Sequence, residues 1–140
     1  MDTRVVEILK KKRYGALAVN LPDGSPHAAA MAFAYEEKPL ELFFLTDNKS
    51  RKMQLLHKGI PQKASFVIGF SEHPMVTLQI EGEIKVVEDR GRIEEIKKIY
   101  FGKYPSHKRY FHPGTSFLVL TPIWWRYTDF MPIPNLVISS

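Results

Sequence analysis

The sequence predicts a mainly β protein, an antiparallel barrel of seven short strands accompanied by a few helices. Two observations lead to this fold class. Apolar or alternating segments of strand length recur along the chain, joined mainly by short turns rich in Pro, Gly, Asp and Glu. Only three segments have the features of helices. The 140 residues contain no internal repeat and no Gly/Ser-rich linker, so we expect a single domain spanning residues 1–140.

Three segments are predicted to be helices. In the N-terminal segment, Val5, Ile8 and Leu9 recur at helical spacing. The second runs from Ser50, a residue type that often caps helices, to Lys58 and stops before a glycine. The third runs from Arg90 to Phe101, with isoleucines along one side and another glycine after it.

Turns and alternation place the seven predicted strands. Pro22-Asp23-Gly24 is a strong turn signal, because Pro presets one turn conformation and Gly supplies a positive φ, so the flanking segments should form a hairpin. Near the C-terminus, Pro122 breaks an apolar region into two strands, and residues 103–115 are predicted to be a loop. The predicted strands are residues 15–21, 27–35, 40–46, 64–70, 76–87, 116–121 and 124–130. Strands joined mainly by hairpins predict a closed antiparallel barrel.

The charge balance indicates an anionic partner without identifying it. Twenty Lys and Arg residues outnumber 15 Asp and Glu residues, which gives a formal net charge of +5. Such an excess suits nucleic acid, a membrane surface or a phosphorylated small molecule. The densest basic run, Lys10 to Arg13, has a simpler explanation, because it ends the first predicted helix, where cations interact favourably with the helix dipole.

Several classes of protein are excluded by composition. The chain has no cysteine, which excludes disulfides, iron–sulfur clusters and cysteine nucleophiles. No apolar run approaches the roughly 18 residues that a membrane span requires. The polar start, Met1 to Arg4, does not resemble a secretory signal. We therefore expect a cytoplasmic protein with no membrane partner.

Histidine and tryptophan residues are weaker candidates for a site. The five histidines lack the spacing of metal ligands, so we expect no metal ion. His107 and His112 lie in the predicted basic loop, for which a solvated surface is a simpler interpretation than a ligand site. Trp124 and Trp125 are neighbours in a strand and therefore point to opposite faces. One should enter the core, and the other could stack on a ligand or contact a partner chain.

The most informative segment follows the third predicted strand. Thr46 ends that strand, and Ser50, Arg51 and Lys52 begin the next predicted helix. Cations in a first helical turn oppose the dipole, at a cost of roughly 0.3–1 kcal/mol each at an exposed site. A bound anion would reverse this effect and gain backbone N–H groups, a hydroxyl and two positive side chains. Among possible anions, a phosphate group fits this description best. Solvated charges with no bound ligand explain the same residues equally well.

This segment resembles the flavin-binding motif of the pyridoxamine 5′-phosphate oxidase-like split-barrel family. The match is Thr46, three further residues and then Ser50-Arg51-Lys52, all after an apolar strand. Arg13 to Val19 followed by Asp23 to His27 resembles the opening hairpin of the family, and Ile80 to Ile84 resembles its central strand. The resemblance covers nearly the whole chain. It implies an FMN-binding split β-barrel that is antiparallel, six- to seven-stranded and Greek-key-like.

The resemblance also implies a cofactor and the residues that bind it. Ser50, Arg51 and Lys52 would hold the phosphate of flavin mononucleotide (FMN), and Thr46 would approach the flavin ring. The remaining candidates are Ala30, Met31, Ala32 and Phe33, whose backbone would pass along the ring, Leu45 beside Thr46, Thr77 near the position of a family glutamine, and Trp125 as a stacking side chain. Three departures from the oxidase concern the substrate. Alanines stand where the oxidase has an early Arg in its second strand, Thr77 stands nearest the position of its glutamine, and the C-terminal Arg-Leu-His signature is absent.

We therefore expect an FMN-dependent oxidoreductase whose substrate is unidentified. A flavin performs redox chemistry at its own ring, so no catalytic Cys, Ser–His–acid set or acid/base pair is required. One alternative is a non-catalytic flavin-, haem- or deazaflavin-binding module of the same fold. Another is a small basic nucleic-acid-binding barrel, which the almost wholly apolar strand 40–46 makes less favourable, so no nucleic-acid partner is expected. The family resemblance and the paired tryptophans predict a homodimer with the flavin near the subunit interface.

Overall fold

The computed structural model describes residues 1–140 as a curled antiparallel sheet with three α-helices. The helices are α1 (Thr3–Lys11), α2 (Met53–Leu56) and α3 (Arg90–Lys103), and a 3-10 helix spans Pro105–Tyr110. The strands are β1 (Tyr14–Asn20), β2 (Pro26–Ala32), β3 (Ala34–Glu37), β4 (Leu40–Asp47), β5 (Gln62–Ile68), β6 (Val76–Val86), β7 (Thr115–Asp129) and β8 (Leu136–Ser139). None of the helices is long and apolar enough to cross a membrane.

The sheet is a split barrel. Its strands follow the order β2-β1-β5-β6-β7-β4-β3, and β8 pairs with β7. Although β2 and β3 are consecutive in the chain, they lie at opposite ends of this order and do not pair with each other. The mainly β, antiparallel split-barrel fold is thus confirmed. The closed barrel expected from the hairpin pattern is wrong, because hairpin signals do not specify whether the first and last strands pair.

Phe33 interrupts the strand that was predicted over residues 27–35. Its side chain is fully buried, and its ring contacts the Phe66 ring edge to face, with the ring centroids 5.3 Å apart. The Phe33 carbonyl accepts a hydrogen bond from Tyr104 Oη at 2.6 Å instead of pairing with a strand. The chain therefore changes neighbours at this residue, since β2 pairs with β1 and β3 pairs with β4.

β7 is continuous across Pro122, so the predicted break at this residue is wrong. Pro cannot donate to a sheet ladder, and the pairing of β6 with β7 shifts register between Glu81 and Gly82 at this point. Gly82 permits the close approach, because a Cβ on this residue would overlap the Thr121 carbonyl oxygen. After β7 the chain adds β8, a strand that the sequence pattern did not predict.

The helix predicted over Ser50–Lys58 is also shorter than expected. Only Met53–Leu56 is helical, and the preceding residues form turns in which Ser50 makes no capping bond from its side chain. A single helical turn has only a small dipole, and Arg51 and Lys52 precede it. The prediction that these two cations oppose the dipole of a longer helix is therefore wrong. The predicted loop 103–115 is likewise partly helical, because α3 continues to Lys103 and the 3-10 helix follows.

The main core lies inside the curled sheet. In β6, Leu78, Ile80 and Ile84 are fully buried, whereas the residues that alternate with them from Gln79 to Lys85 are exposed, as expected for a half-buried strand. The apolar residues of α1 enter the same core. A second apolar cluster forms on the opposite face of β4, where α3 packs against Phe43 and Phe117. This second cluster positions α3 beside the ends of β2 and β4.

Candidate functional site

A cavity of about 390 Å³ lies between β2 and β4 on one side and α3 with the 3-10 helix on the other. This volume falls within the range of roughly 300–1,000 Å³ that small-molecule sites occupy. Five residues predicted to bind the cofactor line it: Ala30, Met31, Ala32, Leu45 and Thr46. The other lining residues are Asp47, Tyr100, His107, Arg109, Tyr110, His112 and Thr115.

The turn after β4 brings three predicted cofactor-binding groups together, namely Thr46 from the predicted ring site and Ser50 and Lys52 from the predicted phosphate site. Thr46 is buried at the end of β4, and its Oγ1 lies 3.2 Å from Ser50 Oγ. Lys52 Nζ donates a hydrogen bond to the same Ser50 Oγ at 3.1 Å. Asp47 shapes this turn, because its carbonyl accepts from the Ser50 N–H at 3.0 Å and its carboxylate accepts from the Lys49 N–H at 2.8 Å. The cavity wall at Thr46 is therefore linked through Ser50 to the Lys52 ammonium.

Lys52 is a buried cation without an anionic partner. Only 8% of the residue is exposed, and no carboxylate lies within ion-pair distance of its ammonium group. Burial lowers the pKa of Lys52, and the negative charge of Asp47 opposes this shift. A buried charge is costly unless it is paired. The residues present thus suit an anion such as a phosphate group, which would supply the missing countercharge.

The opposite wall of the cavity consists of aromatic and basic residues. The His107 ring stacks on Tyr104 with centroids 4.7 Å apart, and its Nδ1 lies 3.3 Å from Tyr100 Oη. Burial lowers the pKa of His107, and the positive charges of Arg13 and Arg109 lower it further. Burial raises the pKa of Tyr100. At neutral pH this wall therefore presents a neutral imidazole and a protonated phenol.

His112 is held in a tight turn beside the start of β7. Its Nδ1 accepts a hydrogen bond from the Gly114 N–H at 3.0 Å, so a neutral His112 carries its proton on Nε2. The Gly114 carbonyl in turn accepts from the Asn48 N–H at 2.9 Å, and Ser116 Oγ donates to Asn48 Oδ1 at 2.6 Å. These bonds tie the histidine turn to the turn that follows β4, so the two walls of the cavity are connected.

Six predicted cofactor-binding residues do not line this cavity. Ser50 and Lys52 follow Thr46 in the turn after β4 and are linked to it by hydrogen bonds, and the other four make no such bonds. Arg51 is exposed in the turn before α2, and the Phe33 side chain is in the core. Thr77 pairs with Thr128 in the β6–β7 ladder, and Trp125, opposite Ile80, packs against the main core. Within one chain, Thr77 and Trp125 are therefore not brought together with the Thr46–Ser50–Lys52 group.

Sequence reasoning missed most of the second wall. His107 and His112 were interpreted as residues of a solvated loop, and Tyr100 was only one apolar residue of a predicted helix. The available signal was the concentration of aromatic and basic side chains in residues 107–112. Which of these side chains face the cavity depends on how α3 packs, and this packing is not apparent in the local pattern.

Solved structures similar to this chain support the same fold. A conserved hypothetical protein from Mycobacterium tuberculosis aligns with a TM-score of 0.76 at 20% identity, covering 96% of this chain and 88% of that chain. A haem-binding protein from Mycobacterium smegmatis has a TM-score of 0.76 at 15% identity, covering 95% of this chain and 54% of that chain, so this chain spans about half of it. At these identities the likeness shows the fold alone.

Two further comparisons concern the family. A protein from Clostridium acetobutylicum, related to general stress protein 26 and described as of the pyridoxinephosphate oxidase family, aligns with a TM-score of 0.70 at 18% identity, covering 97% of this chain and 92% of that chain. No curated protein matches the chain. The family profile described as pyridoxamine 5′-phosphate oxidase matches residues 1–129, which include every strand that borders the cavity and the whole Thr46–Lys52 turn. The chain therefore belongs to the pyridoxamine 5′-phosphate oxidase family.

Proposed function

We propose that this protein binds FMN in the cavity and acts as an oxidoreductase. The observation that carries the proposal is the buried Lys52 ammonium, whose only hydrogen-bond partner is the Ser50 hydroxyl. A phosphate placed beside these groups would pair the charge and accept from both side chains. Arg51, exposed in the same turn, would add a weaker and solvent-screened attraction.

The rest of the cavity suits a planar ring system. Ala30 and Ala32 leave space along β2, and Leu45 supplies an apolar contact from β4. Tyr100 and His107 line the opposite side with flat aromatic rings. A bound flavin supplies hydride or electron transfer at its ring. The contribution of the chain is then to bind the phosphate, orient the ring and present hydrogen-bond donors at the second wall.

We further propose that the protein forms a homodimer in which the flavin lies near the subunit interface. Thr77 and Trp125 are separated from the cavity within one chain, and contact with a cofactor in a second chain would account for them. Ile123 is 79% exposed on β7, next to the partly buried Trp124, and offers apolar surface for such an interface. Light scattering with and without FMN tests this arrangement, because a shared ligand stabilises the dimer by mass action. A 16.2 kDa species with full FMN affinity would contradict it.

Haem is the second candidate ligand, and the two imidazoles in the cavity wall are the observation that favours it. With its proton on Nδ1, shared with Tyr100 Oη, His107 has an unprotonated Nε2 that can ligate the iron. His112 accepts at Nδ1 and carries its proton on Nε2, so it would donate a hydrogen bond to the ligand instead. A deazaflavin that carries a phosphate on its ribityl chain would use the same contacts. The absorption spectrum of the purified protein distinguishes the three, since haem has an intense Soret band and the two flavins differ in their visible bands.

Titration with FMN tests the phosphate site directly. Lys52→Met should weaken binding at least about tenfold, because a hydrogen bond to a charged group contributes about 1.5–3 kcal/mol. Lys49→Met is the matched control, since Lys49 is exposed in the same turn and donates only from its backbone to Asp47. The effect of Lys52→Met should diminish at high salt, where the ionic attraction is screened. Equal affinity of the Lys52 and Lys49 variants would exclude this phosphate site.

A further inference from the structure

The His112 side chain lines the cavity and folds back over its own turn. Its Nδ1 accepts from the Gly114 N–H, while its main-chain N–H and carbonyl both bond to Thr115 Oγ1, at 3.1 Å and 2.8 Å. A Cβ on Gly114 would lie 2.9 Å from His112 Cε1, and the imidazole is the only group within 4 Å of it apart from the residues next to the glycine. The ring is therefore held against the bare backbone of one glycine.

Asn48 joins this histidine turn to the end of β4. The β4–β7 ladder ends with Asp47 opposite Thr115, and directly beyond this pair the Asn48 N–H donates to the Gly114 carbonyl at 2.9 Å. The Asn48 side chain also bonds to β7, because its Oδ1 accepts from Ser116 Oγ at 2.6 Å. With its backbone and its side chain both bonded to the β7 side, Asn48 fixes the position of Gly114 relative to β4.

Three hydrogen bonds form a path from Ser116 through Asn48 and Gly114 to the His112 ring. Their lengths are 2.6, 2.9 and 3.0 Å, all in the ordinary range for strong protein hydrogen bonds. The tautomer of a histidine is set by the bond that its other ring nitrogen makes. Because Nδ1 accepts at the end of this path, the path determines that a neutral His112 presents Nε2 as a donor.

We propose that Asn48 is a positioning residue for His112, and that His112, held in this way, donates from Nε2 to an acceptor atom of the ligand ring. The donor role rests on the proposed flavin site, because a flavin ring carries carbonyl oxygens that accept hydrogen bonds. Asn48 itself does not line the cavity. Its effect on the ligand passes through His112. A role confined to the Ser50–Lys52 end of the same turn would affect only ligands that carry a phosphate.

Nuclear magnetic resonance of the ligand-free protein tests the positioning role. Long-range proton–nitrogen spectra report which imidazole nitrogen carries the proton, and His112→Phe identifies the His112 signals. The unaltered protein should carry the His112 proton on Nε2. Gly114→Ala, whose Cβ displaces the ring, should mix the two tautomers, and Asn48→Ala should mix them as well. Asn20→Ala is the matched control, because Asn20 is exposed at the end of β1 and should leave the tautomer unchanged.

Variants of Ser116 test the same path from the β7 side. Ser116→Ala removes the hydroxyl that donates to Asn48 Oδ1 and leaves the asparagine in place, so it remains informative if Asn48→Ala fails to fold. We expect mixed His112 tautomers in Ser116→Ala. Ser116→Thr keeps the hydroxyl and should retain the single tautomer. Because alanine and threonine differ here in the bond to Asn48, this pair separates loss of the path from a general disturbance of β7.

Titrations with FMN and with riboflavin separate this role from the phosphate site. His112→Phe should weaken both ligands about twofold to tenfold, the loss expected for one hydrogen bond. Asn48→Ala should weaken both by a similar factor, whereas Lys52→Met should weaken FMN alone, since riboflavin has no phosphate. Adding Asn48→Ala to His112→Phe should cause no further loss, because residues that act through one contact are not additive.

Three results would overturn the proposal. An unchanged His112 tautomer in both Asn48→Ala and Ser116→Ala would show that the path does not hold the ring. A loss of affinity for FMN without a loss for riboflavin would assign Asn48 to the phosphate end of the turn. Losses that multiply in the Asn48/His112 double variant would show that the two residues act independently. Failure of the unaltered protein to bind either flavin would contradict the proposed function and the donor role of His112, while the ligand-free spectra decide the positioning role separately.

Discussion

Tyr104 Oη donates a hydrogen bond to the Phe33 carbonyl oxygen at 2.6 Å, across 71 positions of sequence. The same hydroxyl lies 2.9 Å from the Arg13 carbonyl. Burial raises the pKa of Tyr104 to about 12, so the hydroxyl keeps its proton. Tyr104 caps the C-terminal end of α3 and stacks on His107, while Phe33 directly follows β2. One phenol therefore connects the two walls of the cavity.

Tyr104→Phe should destabilise the protein without changing its fold. The substitution leaves the buried Phe33 carbonyl without its partner, and an unsatisfied buried group costs about 1–3 kcal/mol. Urea denaturation measures the free energy of unfolding. Tyr14→Phe is the control, because Tyr14 is 57% exposed and should change this free energy very little. Similar stabilities of the two variants would show that the Tyr104 hydroxyl is not needed.

Stability should decrease as the pH falls from about 7 toward 5, in part because of His107. Burial holds the pKa of His107 below its ordinary value of 6.5 in the folded protein, so the unfolded chain binds a proton that the folded chain resists. The stabilisation is present above pH 6.5 and is lost as the pH falls below that value toward the folded pKa. Thermal melts of His107→Gln should have a weaker pH dependence than those of the exposed control His57→Gln. Identical profiles would contradict this assignment.

Arg92 should contribute to docking α3 on the sheet. Its guanidinium donates to Glu36 at 2.7 Å and to Glu41 at 2.9 Å, across the β3–β4 hairpin, and to Glu95 at 2.7 Å within α3. Since these side chains are partly exposed, we expect Arg92→Met to cost only about 1 kcal/mol of unfolding free energy, less at high salt. The exposed Arg90→Met is the control. A loss from Arg92→Met no larger than that of the control would mean that packing alone docks the helix.

Two glycines should respond oppositely to alanine. Gly82→Ala places a Cβ against the Thr121 carbonyl at the register shift, so β6 and β7 must separate locally, and we expect a loss of about 1–3 kcal/mol. Gly102→Ala, in the last turn of α3 with open space around it, should stabilise by up to about 1 kcal/mol. Denaturation midpoints measure both effects. Equal stabilities of the two variants would contradict the proposed role of Gly82.

Local sequence patterns were sufficient to predict most of the strands and turns and one half of the site. Alternation placed β6 and apolar spacing placed α1, because both depend on local periodicity. Thr46 and Ser50 are four positions apart after a strand, so a single turn at Asp47 suffices to bring their hydroxyls to 3.2 Å. The family was recognisable from the same short segment.

The other half of the site depends on tertiary contacts that no local pattern reveals. The β2–β3 division at Phe33, the continuity of β7 across Pro122 and the cavity wall at Tyr100 and His107 all depend on contacts between residues far apart in sequence. The burial of Lys52 also depends on such contacts, because distant packing and not the neighbouring sequence forms its environment. Local periodicity specifies which residues of a segment share a face, and tertiary packing determines what that face meets.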